Sequence, residues 1–434
     1  MSYRPCDTDE TEIGMLYYLS GADGTGGRIK VYPEDFRVTE ISDGPPEDEK
    51  GRYTIARVTS NNWETNRMIR LMGKFMGISR ERIGFAGTKD KRAVTSQLMS
   101  FDGPPDLLNR VDLKDIGFSD IYTSKKPVKL GDLTGNSFSV RVRDIETEMS
   151  EVPEILDSVV SDVKSTGGFP NYFGVQRFGV VRPVTHLVGE QIIRGNLEGA
   201  VRTYLSEPSE FESEEIIAVR KELTEREDWK NLLGLMPESL GFEKTMVGHL
   251  MNNPDDWAGS ISVLPKNLQM MFVHAYQSYL FNIMLSKRME RGLPLNLPVE
   301  GDTVIPLTVD GIPDHDHPVI ATSRNLDLVS HQVKTGRAFV SIVLFGSDTE
   351  IQDGIMGEIE SSVIEAEGIQ ASDFIVPKLS LCSSKGTRRE VICTVNDLNY
   401  SLGDGYYDVE FALSKGNYAT TLMREFMKSP MLNY

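Results

Sequence analysis

Alternating apolar and polar positions dominate the start of the chain. In Arg28-Ile-Lys-Val-Tyr32, Ile29 and Val31 share one face and Lys30 takes the other, which predicts a short strand. Pro33-Glu34-Asp35 turns the chain, and Phe36-Arg-Val-Thr-Glu-Ile41 resumes the alternation. An acidic, proline-containing loop at residues 43–50 precedes a further strand in residues 52–58. The period then changes. Met68, Leu71, Met72, Phe75 and Met76 recur at helical spacing and read as core, while Arg67, Arg70 and Lys74 lie largely off that stripe and Gly77 ends it. Gly135-Asn136 is a turn signal, and the strand after it sets Phe138, Val140 and Val142 against Ser139, Arg141 and Arg143. Ser150 is placed to cap a helix built on Val152, Ile155, Leu156, Val159, Val160 and Val163, which Gly167-Gly168 stops.

Beyond an aromatic- and glycine-rich segment, residues 169–179, the pattern shifts to helices (185–205 and 268–291) separated by acidic loops, with one strand at 338–345. The tail returns to alternating strands, 390–395 and 406–413, and then to a glycine turn opening into a last helix. Because the tail resembles the first 165 residues more than the middle does, one domain interrupted by another is expected. Residues 1–166 and 386–434 would form the outer domain around an inserted one at 167–385. A chain of 434 residues is long enough for two cores. The polar first two dozen residues are expected to form a loosely attached arm.

Composition changes this picture little, and charge changes it more. No apolar run approaches the roughly 18 residues of a membrane span, and Asp7, Asp9, Glu10 and Glu12 stand where a signal peptide needs basic and apolar residues. A cytoplasmic protein with no membrane partner is expected. Cys6, Cys382 and Cys393 offer neither a disulfide framework nor metal-type spacing, and Asp314-His315-Asp316-His317 reads as a solvated loop. The formal net charge of −18 argues against a general nucleic-acid coat. It is polarised, however. Arg67, Arg70, Lys74, Arg80, Arg82, Lys89, Lys91 and Arg92 gather in residues 65–92, whereas acids cluster in 207–215 and 358–367.

Within the basic part, Ile83-Gly-Phe-Ala86 runs into a Gly87-Thr88 turn that carries Asp90 among Lys89, Lys91 and Arg92. A phosphate loop would need Gly-x-x-x-x-Gly-Lys-Ser/Thr, and here an acid stands where the hydroxyl should be. A glycosidase would need a second carboxylate with an opposed role, and a metal nuclease a cluster of acids with histidine. A nucleophilic or base-acting aspartate in a cationic, RNA-facing site remains. The aromatic segment Phe169-Pro-Asn-Tyr-Phe-Gly-Val-Gln-Arg-Phe-Gly179 suits base stacking and backbone contact, and equally an aromatic turn packed on a core.

Four separated segments resemble the TruD family of tRNA pseudouridine synthases. They are Phe85-Ala-Gly-Thr-Lys-Asp-Lys-Arg-Ala-Val-Thr-Ser-Gln97, Gly135-Asn-Ser-Phe138, Asn171-Tyr-Phe-Gly-Val-Gln-Arg-Phe-Gly179 and Lys415-Gly-Asn-Tyr-Ala-Thr-Thr-Leu-Met-Arg-Glu425. Lys30-Val-Tyr-Pro-Glu-Asp-Phe36 matches as well, and the matches fall in family order across most of the chain. The resemblance implies an α+β fold: a catalytic domain with a mixed, largely antiparallel sheet flanked by helices, interrupted by an inserted α/β domain, with tRNA held in a basic cleft. It implies isomerisation of uridine 13 of tRNA with neither cofactor nor metal. Asp90 stands at the catalytic aspartate, Phe138 at the aromatic packed against the target base, and Lys30 and Asn136 at further active-site positions. Lys30 paired to Glu40 or Asp35 is the structural alternative. Lys89, Lys91, Arg92, Arg67, Arg70, Lys74, Asn171, Gln176 and Arg177 are the candidate RNA contacts, with domain-junction hydrogen bonds the favoured alternative for the last three. A non-catalytic tRNA-binding or folding factor is the other functional reading, and no protein partner is implied.

Overall fold

A computed structural model describes residues 3–225, 228–308 and 311–434. The chain separates into two compact units. One comprises Met1–Gly21, Pro170–Ile392 and Pro430–Leu432; the other comprises Ala22–Phe169, Cys393–Ser429 and Asn433–Tyr434.

The second unit is built on an eight-stranded sheet. Its strands are β1 (Phe36–Ile41), β2 (Tyr53–Asn61), β3 (Ile83–Phe85), β4 (Val94–Asp102), β5 (Ile116–Ser124), β6 (Gly135–Val142), β7 (Asn396–Leu402) and β8 (Tyr407–Ser414). They run in the order β7-β8-β6-β1-β4-β2-β5, with β3 paired to β4. Only β1 and β4 are parallel; the other pairs are antiparallel. The tail strands therefore complete the sheet begun in the first part of the chain.

Helix α1 (Thr65–Met76) starts at Glu64, whose carboxylate accepts the amides of Asn66 and Arg67, and ends at Gly77 in the left-handed region. Those bonds satisfy amides that the first turn leaves unpaired. Met68, Ile69, Met72 and Met76 pack on Ala56 and Val58 of β2 and on Met99 and Phe101 of β4. Phe75, expected in this stripe, is exposed, and Ile69 takes its place in the core. Helix α2 (Val152–Thr166) packs against β7 and against α3 (Ala419–Met427). Ser150 is not its cap; Glu151 holds that position without a side-chain bond. Gly135-Asn136 opens β6 rather than forming a turn, and residues 28–32 make an isolated bridge at Arg28 rather than a strand.

The first unit centres on the long helix Lys266–Glu290, apolar on several sides as its sequence predicts. A four-stranded antiparallel sheet runs in the order Val319–Ile320, Thr303–Pro306, Ala338–Leu344, Thr387–Glu390. The segment 185–205 divides into Thr185–Ile193 and Leu197–Ser206 around Gly195, whose φ is +73°. The expected loose arm is instead docked on the long helix. Asn282 donates to the Ile13 carbonyl (2.9 Å), Ser286 donates to that of Gly14 (2.7 Å), and Ile13, Met15, Tyr18 and Leu19 are buried. Some of the acidic surplus is neutralised internally: Glu212 and Glu243 pair with the buried Arg220 at 2.7 and 3.2 Å. Among the described residues no helix is long and apolar enough to cross a membrane.

His186 in this unit is buried between Phe178 and Tyr279, and burial pushes its imidazole down to about 4 from 6.5. It is neutral in the fold but takes a proton in the unfolded chain below 6.5, so its stabilisation is complete above pH 6.5 and fades as pH falls to about 4. The loss should reach about 3 kcal/mol. His186→Phe is expected to flatten the pH dependence of urea unfolding across that window; curves parallel to the parent's would contradict it.

Candidate active site

Register decides which side chains share a face of the sheet. Phe411 of β8, Phe138 of β6, Val38 of β1, Thr95 of β4 and Ser60 of β2 form one transverse row. Leu413, Asn136 and Glu40 form the next, and Gln97 follows Ser96 on β4 one step beyond the Thr39–Ser96 pair. Glu40 therefore shares a face with Phe36 and Val38, and a carboxylate buried there requires a partner. Lys89 supplies it: its Nζ lies 2.7 Å from Glu40 Oε2, with the two side chains 5% and 0% exposed.

The turn from β3 to β4 carries Asp90. Gly131 donates to the Ala86 carbonyl at 2.8 Å, the Lys89 amide donates to Thr65 Oγ1 at 3.0 Å, and Asn62 donates to the Ala93 carbonyl at 2.9 Å. Asp90 itself stays open, 43% exposed, and meets Lys30 Nζ at 3.3 Å. Lys30 is 14% exposed and sits 4.3 Å from the centroid of Phe36. Its φ of +58° is uncommon for a residue with a side chain, and such conformations cluster where a side chain must be aimed. The anticipated pairing of Lys30 with Glu40 or Asp35 is not made, because Lys89 pairs with Glu40 and Arg143 with Asp35.

Phe138 is 7% exposed, stacked on Phe411 (5.2 Å, 21°) and edge-on to Phe36 (6.0 Å, 65°). One ring face is thus already covered, and the three rings form an apolar floor. Asn136 Oδ1 and both amide atoms of Gln97 are buried without a hydrogen-bond partner among the described residues.

The cations divide into two groups. Arg67, Arg70, Lys74 and Lys91 are exposed, and among the described residues none is paired with a carboxylate. Arg92 is exposed and donates to the Val31 carbonyl at 2.6 Å. Lys89, expected to meet phosphate, is instead internal: releasing it would strand the Glu40 charge in the core. The pairing joins residues far apart in sequence, so local pattern gave no warning. The one available signal was an acid on the buried face of β1.

Three candidates lie in the first unit. Asn171 is buried; its amide nitrogen donates to the Glu390 carbonyl (3.1 Å) and its Oδ1 accepts from Arg389, which are hydrogen bonds of the kind the structural alternative expects. Gln176 and Arg177 lie in a short 3-10 turn, Val175–Arg177. The Arg177 guanidinium sits 5.4 Å from the Phe173 ring, with its Nε buried and without a hydrogen-bond partner among the described residues. Among the described residues no three metal-ligating side chains gather, and His317 of the 314–317 loop bonds only to Asp314.

Comparison with known proteins places the chain in a family. The family model described as tRNA pseudouridine synthase D (TruD) matches residues 12–426. A Methanosarcina acetivorans protein named "Probable tRNA pseudouridine synthase D" is 43% identical over 427 residues, 96% of each chain. A Pyrococcus furiosus protein of the same name is 37% identical over 425 residues, 96% of this chain and 99% of that one. A crystal structure described as the "Putative tRNA pseudouridine synthase D (TruD) from Methanosarcina mazei" superposes with a TM-score of 0.88 at 41% identity, covering 99% of this chain and 100% of that one. A match this long, carried by the fold as well as by the sequence, makes this chain a member of the TruD family of pseudouridine synthases.

Proposed function

We propose that the protein isomerises uridine 13 of tRNA to pseudouridine, with Asp90 as the reacting carboxylate. One observation carries this reading: Asp35 and Glu40 are buried in ion pairs with Arg143 and Lys89, whereas the carboxylate of Asp90, beside Lys30, is 43% exposed. The reaction breaks C1′–N1, turns the uracil, joins C5 to C1′, removes the C5 proton and returns a proton to N1, so its atoms balance without a co-reactant. Asp90 acts as nucleophile or base and can accept that proton; Phe138 has no ionisable group and cannot. The uridine must leave the RNA stack, at a cost of a few kcal/mol, which phosphate contacts along α1 offset. The floor of Phe36, Phe138 and Phe411 supports the extruded base.

The test is to incubate the protein with unmodified tRNA transcripts and map pseudouridine by position. Modification confined to position 13 is expected; no pseudouridine at any position would leave only a binding role. The exposed cations give a second expectation. Replacing Arg67, Arg70 and Lys74 with glutamine should lower the slope of log K against log salt by roughly 0.7–0.9 for each phosphate no longer neutralised. An unchanged slope would remove α1 from the RNA interface.

A further inference from the structure

Asp90 needs something to aim it, because its own side chain is 43% exposed and it sits in the connection between Phe85 and Val94, outside both strands. The residue before it is the best-anchored point of that turn. Lys89 is held at both ends: its backbone amide donates to Thr65 Oγ1 at 3.0 Å, and its Nζ reaches Glu40 Oε2 at 2.7 Å. Both anchors are rigid. Thr65 is buried in the first turn of α1. Glu40 lies on β1, hydrogen-bonded between β6 and β4, and its other carboxylate oxygen accepts the Leu98 amide at 3.3 Å.

We propose that the buried Glu40–Lys89 pair is the positioning device of the site, fixing where the Asp90 carboxylate points, and is not a contact to RNA; this rests on reading Asp90 as the reacting group. Neighbouring Cα atoms are about 3.8 Å apart across a rigid peptide, so a shift at Lys89 passes almost undiminished to Asp90. A misplacement of about 1 Å can cost a factor of about 100 in rate. Glu40 has a second effect. By neutralising Lys89 inside the fold, it leaves Lys30 as the cation that meets Asp90 at 3.3 Å. Swinging Lys89 out to a phosphate would leave an unpaired charge in the core, so substrate binding does not recruit it.

The experiment uses the full chain with an unmodified tRNA transcript, measuring kcat and KM for pseudouridine formation alongside urea unfolding. Four variants are compared: Glu40→Gln/Lys89→Met, Lys89→Arg, Thr65→Val and Asp90→Asn. The double variant removes both charges together and so avoids a stranded ion. It should lower kcat about 100-fold with KM within about 3-fold of the parent. Lys89→Arg keeps the charge pair and should stay within about tenfold. Thr65→Val loses only the amide anchor and should lower kcat about 5-fold at unchanged KM; should the double variant not fold, this variant decides in the same terms. A double variant with parental kcat overturns the inference, and so does a raised KM at unchanged kcat, which would make Lys89 an RNA-binding residue. Activity in Asp90→Asn would instead overturn the reading of Asp90, so the two failures are distinguishable.

Discussion

Asp90→Asn should lower the rate of pseudouridine formation at least about 1,000-fold while leaving tRNA affinity within about 2-fold, as expected when a group that reacts covalently or takes the key proton is removed at constant volume. The side chain is open to solvent and contributes to no core, so the folded state should be unchanged within about 0.5 kcal/mol. The carboxylate-to-amide change removes no cation, and phosphate binding is therefore untouched. Single-turnover assays with tRNA labelled at C5, with tritium release as the readout, separate chemistry from binding. Substantial release by Asp90→Asn would rule out Asp90 as the reacting group. Lys30→Met should behave differently. Lys30 stays close to Phe36 and meets Asp90 at 3.3 Å, so its loss should weaken catalysis by a smaller factor and leave the fold intact.

The largest expected effect on stability lies in the other unit. Arg288 on the long helix and Asp302 are both fully buried and meet through two parallel bonds of 2.7 and 2.8 Å. Arg288 also donates to the Pro294 carbonyl, and Asp302 accepts the Val299 amide at 2.8 Å. Asp302→Ala leaves a guanidinium in the core without its counter-charge, which should cost about 3–5 kcal/mol. With a urea dependence of about 2–3 kcal/mol/M, the unfolding midpoint should fall by about 1–2 M. The double variant Arg288→Met/Asp302→Leu should recover most of that loss, because replacing a buried pair by apolar groups is often close to neutral. A shift of less than about 0.3 M for Asp302→Ala would mean that the unit relaxes to let water reach Arg288.

Much of the outer sheet was legible from period alone. The alternation in Phe36–Ile41, the helical stripe ended by Gly77 and the tail strand close to Tyr407–Ser414 all appear where the pattern placed them, because each is a local element whose apolar face must be buried. Asp90 was legible as well, as a lone carboxylate on a glycine turn among cations, and the α+β class followed once the motifs were read in order.

What the sequence determined by itself was therefore those local elements, the candidate carboxylate and the family. The tertiary structure decided which charges are internal. Lys89, Lys91 and Arg92 look alike along the chain, yet Lys89 enters the core because register places Glu40 beneath it, while Lys91 and Arg92 remain outside. Lys30 was expected on a regular strand; its left-handed backbone and its meeting with Asp90 depend on a turn contributed from elsewhere in the chain. Asn171 suited RNA contact or internal hydrogen bonds along the chain, and Arg389 and Glu390 supply internal ones. The acidic first residues looked like a free arm until Asn282 and Ser286 on the long helix bound their carbonyls. In each case the deciding partner lies far away in sequence. Periodicity reports which face a residue occupies, but only the assembled strands and helices determine what that face meets.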